Sequence, residues 1–316
     1  MIKCIKMTEK HKIIIELYDY GLSPTQIVEK ANCSIGTIYN VLKRNNIPTR
    51  NGSKGVTKDE IEKIKKMNSE NKSFYEIMNV MGIHYEKLKL IFEKLGINNV
   101  SSAKRQNPNL KEDYFKKIDS EEKAYWIGWL ITDGCVTEKD HSISISLQEQ
   151  DSYILTKFSE DLGLEDKVKI FNKKYKRFYF CCKEIANDLK QYGIIQNKTF
   201  TVSIPIIPEH LYPSLLRGCI DGDGSILLYN TRGKYEAELQ FTGNYECVKR
   251  FNEIVSALTG IKPKNIIENR SIYRVRWCNK DEIIKICEVI YRNSDGRRLE
   301  RKYNKFLKIK EVNNSL

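Results

Sequence analysis

Two stretches of this chain end in the same way, and few folds accommodate both. The segment Ser214-Leu-Leu-Arg-Gly-Cys-Ile-Asp-Gly-Asp-Gly-Ser-Ile226 reads as an apolar helix closing in an acidic, glycine-rich turn. Pro213 suits a first helical turn, where a missing N–H costs nothing, and Gly222 and Gly224 are expected to stop the helix. The earlier stretch Ala124-Tyr-Trp-Ile-Gly-Trp-Leu-Ile-Thr-Asp-Gly134 follows the same plan. Its Gly128, Asp133 and Gly134 match Gly218, Asp223 and Gly224 at one constant offset. Two helices, each ending in a carboxylate, suggest an internal duplication that brings two acids to one place.

These residues resemble the LAGLIDADG homing endonucleases in their single-chain, two-motif form. Leu216-Arg-Gly-Cys-Ile-Asp-Gly-Asp-Gly224 is close to the family pattern. Trp126-Ile-Gly-Trp-Leu-Ile-Thr-Asp-Gly134 is looser, with Trp126 and Trp129 where leucines are usual and Ile131 in place of the first acid. The final Asp is present in both. The resemblance covers about residues 110–310 and implies an α+β fold: a pseudo-two-fold pair of αββαββα halves, residues 110–200 and 201–316, whose antiparallel sheets form a saddle over DNA. Gly128 and Gly218 would let the two motif helices pack closely.

The rest of the chain fits a soluble, nucleic-acid-directed protein. Its 316 residues are 41% hydrophobic and 30% charged, enough for two or three domains with cores of their own. No apolar run is long enough to cross a membrane, and the basic N-terminus lacks the apolar core of a signal peptide, so a cytoplasmic location in a bacterial, phage or organellar setting is expected. The net charge of +13 favours a polyanionic partner. Nine cysteines without a C-x-x-C pair and four histidines without metal-ligand spacing argue against a zinc site or a disulfide framework. Any metal should be a hard cation on oxygen ligands.

Ahead of the duplicated region lie two copies of another pattern. In residues 1–48, apolar spacing predicts three short helices, with Ser23-Pro24 starting the second, a turn at Asn32-Cys-Ser34, and a third through about Arg44. Ile35, Ile38, Val41 and Leu42 are read as the core face of that third helix, which leaves Thr37, Asn40, Lys43 and Arg44 outward. Short helix, tight turn and polar-faced helix are the plan of a helix-turn-helix, whose second helix reads the major groove; a plain three-helix interaction module has the same pattern. Residues 57–97 repeat it at an offset of fifty: Ile14, Ser23, Ile27, Ile38 and Leu42 find Ile64, Ser73, Ile77, Leu88 and Phe92. Thr57 with Glu60 and Ser73 with Glu76 fit capping boxes. The linker 49–56 is basic and rich in turn formers, and its Arg50 is a candidate phosphate contact; residues 98–109 form a second linker.

From Leu110 the pattern becomes mixed. Residues 142–148 alternate strictly, residues 151–162 read as a helix, 167–183 as a strand pair and 184–192 as a helix; 238–244, 245–258 and 265–280 repeat strand, helix and strands, and two helical segments finish the chain. One sheet face is apolar. The other carries Ser144, Ser146, Gln148 and Arg177 in the first half, and Gln240, Thr242, Arg274 and Arg276 in the second. A solvated face would alternate in the same way, but these side chains also suit base edges, Arg with guanine and Gln with adenine.

The resemblance supplies the expected chemistry. Asp133 and Asp223 would hold Mg²⁺ or Mn²⁺, two or three ions in all, with the carbonyls of Thr132 and Gly222, each acid serving one DNA strand. The family's lysine near each scissile phosphate matches Lys183 and Lys280, both expected on the polar phase of a strand. Gln148 and Gln240 are weaker candidates for organising water, and Asp221 is expected to make a cap or hydrogen bond at the turn. The partner implied is double-stranded DNA with a long target site, bound by a monomer. The ordinary Met-Ile-Lys start and Asn-Asn-Ser-Leu end lack the residues of an intein, so a free-standing or intron-encoded mobile element fits better. The alternatives on the same scaffold are a non-cleaving transcriptional regulator and an RNA-binding intron maturase.

Overall fold

The computed structural model describes residues 8–45, 47, 56–97, 100–165, 167–294 and 296–314. The chain divides into two units, residues 1–101 and residues 102–316. Arg50 and most of the linker 49–56 lie outside the described residues.

The first unit holds two trios of helices: α1 (Glu9–Asp19), α2 (Pro24–Ala31) and α3 (Ile35–Arg44), then α4 (Lys58–Ser69), α5 (Phe74–Met81) and α6 (Tyr85–Leu95). Each trio closes over its own core, one around Ile14, Ile27, Ile38 and Leu42, the other around Ile64, Ile77, Leu88 and Phe92. The reciprocal caps expected at Thr57/Glu60 and Ser73/Glu76 both form, and Ser23 makes a third with Gln26. The turn after α2 is left-handed at Asn32 (φ 45°) and the matching turn after α5 is left-handed at Gly82 (φ 61°), so the repeat extends to backbone conformation. Ile35 departs from expectation. It lies 47% exposed rather than in the core, because as the first residue of α3 it projects beyond the packed face.

The second unit opens with the short α7 (Ser102–Gln106) and then runs α8 (Glu121–Thr132), β1 (Cys135–Val136), β2 (Ser142–Gln148), α9 (Tyr153–Asp161), β3 (Val168–Asn172), β4 (Tyr175–Cys181) and α10 (Lys183–Lys190). After a connecting segment the order recurs as α11 (Tyr212–Asp223), β5 (Gly224–Thr231), β6 (Lys234–Gly243), α12 (Tyr245–Thr259), β7 (Ile267–Asn269), β8 (Ile272–Trp277) and α13 (Lys280–Ile290), with α14 (Glu300–Asn314) last. The strands form two antiparallel four-stranded sheets of identical topology, β1-β2-β4-β3 and β5-β6-β8-β7. This is an α+β fold built from two αββαββα halves.

One continuous core joins the halves, running from Trp126, Trp129, Phe158 and Phe178 to Phe241, Phe251 and Trp277. The two motif tryptophans that replace leucines are fully buried there, and Trp126 also donates its indole N–H to Asp161 at 2.7 Å. Gly222 does not stop its helix, contrary to expectation. Helix α11 runs through it to Asp223 and passes straight into β5.

Candidate nuclease centre

Helices α8 and α11 cross at backbone contact. A Cβ on Gly128 would lie 2.3 Å from the Leu215 carbonyl oxygen, and one on Gly218 would lie 2.1 Å from that of Tyr125. Gly222 has the same role one turn later. A methyl there would meet the Thr132 hydroxyl at 2.0 Å and an Asp133 carboxylate oxygen at 2.9 Å. The glycine read from sequence as a helix stop is therefore a close-approach residue, and it sets the end of α11 against the Asp133 carboxylate.

Asp133 caps α8 and Asp223 ends α11, and both keep an edge open to solvent. Both are exposed by surface area, although neighbouring protein atoms crowd each carboxylate. Partial burial and then the negative charge of Asp223 raise the Asp133 carboxyl to about 6, although Lys302 and Lys198 pull it down. Burial also raises Asp223, against the pull of Lys198 and Lys302. Each acid thus feels both lysines.

Sequence reasoning missed these two lysines. Lys198 is 7% exposed and donates to the carbonyls of Thr132, at 3.4 Å, and Gly134. Lys302 is 4% exposed and donates to the carbonyls of Ile220, Asp221, Gly222 and Gly224 at 2.7–3.2 Å. Thr132 and Gly134 occupy the positions in motif one that Gly222 and Gly224 occupy in motif two. Each half therefore caps its motif helix with an ammonium that satisfies carbonyls left over at the helix end and complements the dipole there. Burial lowers both, Lys302 to about 8, so it remains charged at neutral pH. No local pattern marks them: Lys198 opens a short turn after α10, whereas Lys302 lies within the first turn of α14.

Lys183 and Lys280 do not lie on strands, contrary to expectation. Strand β4 ends at Cys181 and β8 at Trp277, so the two lysines are the first residues of α10 and α13. Lys183 is exposed, and the Lys280 ammonium is shut from solvent with no hydrogen-bond partner among the described residues. Asp221 is not at a turn. It lies fully buried inside α11, accepting from the Tyr125 hydroxyl and the Leu299 N–H at 2.9 Å each and from the Tyr291 hydroxyl at 3.4 Å. It fastens α11 to α8 and to the start of α14.

The donor set suits a hard divalent cation. The two acids and the carbonyls of Thr132 and Gly222 that the resemblance implies are all oxygen donors, although those carbonyls also accept from Lys198 and Lys302. Burial first and the charge of Asp223 second raise the Asp133 carboxyl even with two lysines beside it. Elsewhere, Glu112, Cys182 and Glu184 converge, but burial holds the Cys182 thiol up near 12 and so keeps its proton, which disfavours metal ligation.

Register brings the polar candidates together on each sheet. Ser144 pairs with Tyr179 and Ser146 with Arg177, while Gln240 pairs with Arg276 and Thr242 with Arg274. All keep some exposure. Arg177 donates to the Ser146 hydroxyl at 2.8 Å and lies over the Phe171 ring, and Arg276 pairs with Glu238 at 3.4 Å. The same ladders make Ser144 the counterpart of Gln240, so Gln148 and Gln240 are not equivalent; the counterpart of Gln148 is Asn244. In the first unit, Asn40, Lys43 and Arg44 are exposed on α3, whereas the Thr37 hydroxyl is engaged with that of the cap residue Ser34 at 2.9 Å.

No protein-family model and no curated protein matches the chain. Solved structures do. The meganuclease I-SmaMI bound to uncleavable DNA is 11% identical over 62% of this chain and 88% of its own, with a TM-score of 0.44. The LAGLIDADG meganuclease I-CpaMI bound to uncleaved DNA is 12% identical over 63% and 93%, with a TM-score of 0.45. The homing endonuclease I-GzeII in complex with its DNA target is 10% identical over 60% and 88%, with a TM-score of 0.43. These similar structures are LAGLIDADG homing endonucleases, the family that the two motifs of this chain resemble.

Proposed function

We propose that the chain is a site-specific, divalent-metal-dependent DNA endonuclease of the homing type, using one aspartate per half. The observation that carries this reading is the pairing of two solvent-open carboxylates, Asp133 and Asp223, at the crossing of two glycine-packed helices. A pair of mutually repelling acids is costly to maintain, and a cation between them and a phosphodiester would offset that cost. Mg²⁺ or Mn²⁺ would supply charge neutralisation, an activated water and leaving-group stabilisation. Asp133, Asp223 and the carbonyls of Thr132 and Gly222 would hold it.

The protein's own part is orientation. Lys198 and Lys302 fix the two helix ends and hold positive charge beside the acids, while the family resemblance implies a different place, near each scissile phosphate, for Lys183 and Lys280. The face bearing Ser144, Ser146, Gln148, Arg177, Gln240, Thr242, Arg274 and Arg276 would lie along the duplex and read base edges. In the first unit Asn40, Lys43 and Arg44 would enter a groove as a helix-turn-helix does, with Thr37 stiffening the start of α3 and Arg50 reaching a phosphate.

The test is incubation of a genome-scale DNA library with Mg²⁺ or with EDTA, using the wild type, Asp133→Ala and Asp223→Ala. Discrete Mg²⁺-dependent ends that both substitutions abolish or convert to nicks are expected. Tight, salt-sensitive binding without any cut would overturn the nuclease reading and favour a regulator; preferential binding and processing of RNA would favour a maturase.

A further inference from the structure

The two halves share a topology, but the surroundings of their acids differ. A cavity of about 360 Å³ opens beside Asp133 and is lined by Ser146, Gln148, Asp151 and Arg301. Two of these residues have no counterpart in the other half. Strand β2 ends at Gln148, and a 3₁₀ turn, Glu149–Asp151, intervenes before α9; in the second half Asn244, the counterpart of Gln148, caps α12 directly. The turn that carries Asp151 is therefore an addition to the first half. Arg301 precedes Lys302, and the residue preceding Lys198 is the uncharged Asn197.

Arg301 belongs to α14 of the second half, yet its Nε donates to both carboxylate oxygens of Asp151 in the first, at 3.0 and 2.9 Å. The segment before it is clamped to the first half as well. Arg297 donates to Asp161 at 2.7–2.9 Å, and Tyr153 takes the Glu300 N–H at 2.7 Å while donating to the Arg298 carbonyl at 3.0 Å. Asp151 has a side chain only 9% exposed, whereas that of Arg301 is 51% exposed. Held through Nε alone, the guanidinium keeps both terminal nitrogens without a partner among the described residues. A planar donor fork anchored at one edge and open at the other suits two oxygens of a phosphate.

We propose that Arg301, oriented by Asp151, grips the scissile phosphate of one DNA strand at the Asp133 cleft and makes the two strand cuts unequal. This rests on the endonuclease reading above. Arg301 would touch substrate, and Asp151 is a positioning residue. The residue before the corresponding buried lysine, Lys198, is the uncharged Asn197, so the strand at Asp223 would be cut without that grip.

The test uses the full-length protein and a duplex carrying a site recovered from wild-type cleavage, with the two strands separately labelled. Arg301→Ala should slow one strand by about 100-fold, the cost typical of removing one transition-state donor, and leave the other within about twofold. Arg301→Lys should restore part of the rate, since it keeps charge but not the fork. Asp151→Asn should slow the same strand by a smaller factor, and on supercoiled plasmid nicked circles should accumulate with all three variants. Equal slowing of both strands, or a fall in melting temperature that accounts for the loss, would reduce the pair to a structural tie and overturn the proposal. Unchanged cutting by Arg301→Ala would overturn it too. If the wild type cuts no DNA, the endonuclease reading itself falls and takes this with it, an outcome readily told apart from the others.

Discussion

At the scale of single residues, the acid pair sets a cost that pH exposes. The folded protein raises Asp133 from 3.8 to about 6, so it binds this proton more tightly than the unfolded chain does. Ionisation is therefore destabilising: the penalty is absent below about pH 4, grows through pH 4–6 and is complete above. Asp133→Asn, which cannot ionise, should raise the melting temperature of the metal-free protein at pH 7.5 and leave it unchanged near pH 4. Because the carboxylate keeps a solvent-open edge, the gain should be on the order of 1 kcal/mol, well short of what full desolvation would give. Mg²⁺ should stabilise the wild type and much less the variant, by preferential binding to the folded state. Calorimetry at the two pH values, with and without Mg²⁺, checks both; a destabilised variant at pH 7.5 would mean that the carboxylate is satisfied without a cation. The two acids were legible in the sequence because motif, helix and carboxylate lie within a dozen residues. Lys198 and Lys302 were not, because their carbonyl partners are about 65 to 80 residues away and only the folded chain brings them together.

At the scale of elements, periodicity finds most of the helices and strands, and fails where one element runs into the next. Strand β2 alternates over seven residues, and its bounds are legible to the residue. Strand β1 is two residues long, and β5 begins at the residue after α11, with no turn to mark the change. Gly222 misleads for a related reason: a glycine at a helix end and a glycine under a crossing helix look alike in one dimension. The crossing itself gives the sharper prediction. Gly218→Ala would gain up to about 1 kcal/mol of helix propensity, but its methyl has the Tyr125 carbonyl at 2.1 Å and the Gly128 Cα at 3.0 Å, both backbone atoms that cannot rotate away. Overpacking of about 1–3 kcal/mol or more should win. The variant should melt several degrees lower, and its cleavage should fall further than its stability because the acids are displaced with the helices. Gly36→Ala is the control. Its nearest neighbour is a serine hydroxyl at 3.8 Å, so it should be neutral or stabilising. A Gly218→Ala protein as stable as the wild type would mean that the helices can separate at no cost.

At the scale of the whole molecule, charge is distributed unevenly along the sequence. Residues 1–105 hold 19 basic and 11 acidic side chains, a net +8 of the +13 total. The two helix trios repeat in geometry but not in surface: α3 presents Asn40, Lys43 and Arg44, whereas α6 presents Glu86, Lys89 and Glu93, the last two paired with each other at 4.0 Å. A groove-reading helix needs unpaired donors, so under the proposed function the first trio is the one expected to read DNA. The difference in outward residues is visible in the sequence, whereas the exposure of Ile35 is not, since apolar spacing does not say which residue overhangs a helix end. Tethering adds affinity without adding catalytic parts. In the full-length protein, the triple variant Asn40→Ala/Lys43→Ala/Arg44→Ala should therefore weaken binding to a cleavable duplex by about 1–3 kcal/mol for each base-edge hydrogen-bonding pair it removes and reduce the slope of log K against log salt by about 0.9 per phosphate neutralised by these side chains. The cleavage rate at saturating protein should hold within about twofold. Fluorescence anisotropy across a salt series and single-turnover cleavage separate these quantities. Unchanged affinity and salt slope would assign α3 to protein contacts instead, and a collapsed saturating rate would mean that the first unit acts on the proposed cleavage step itself.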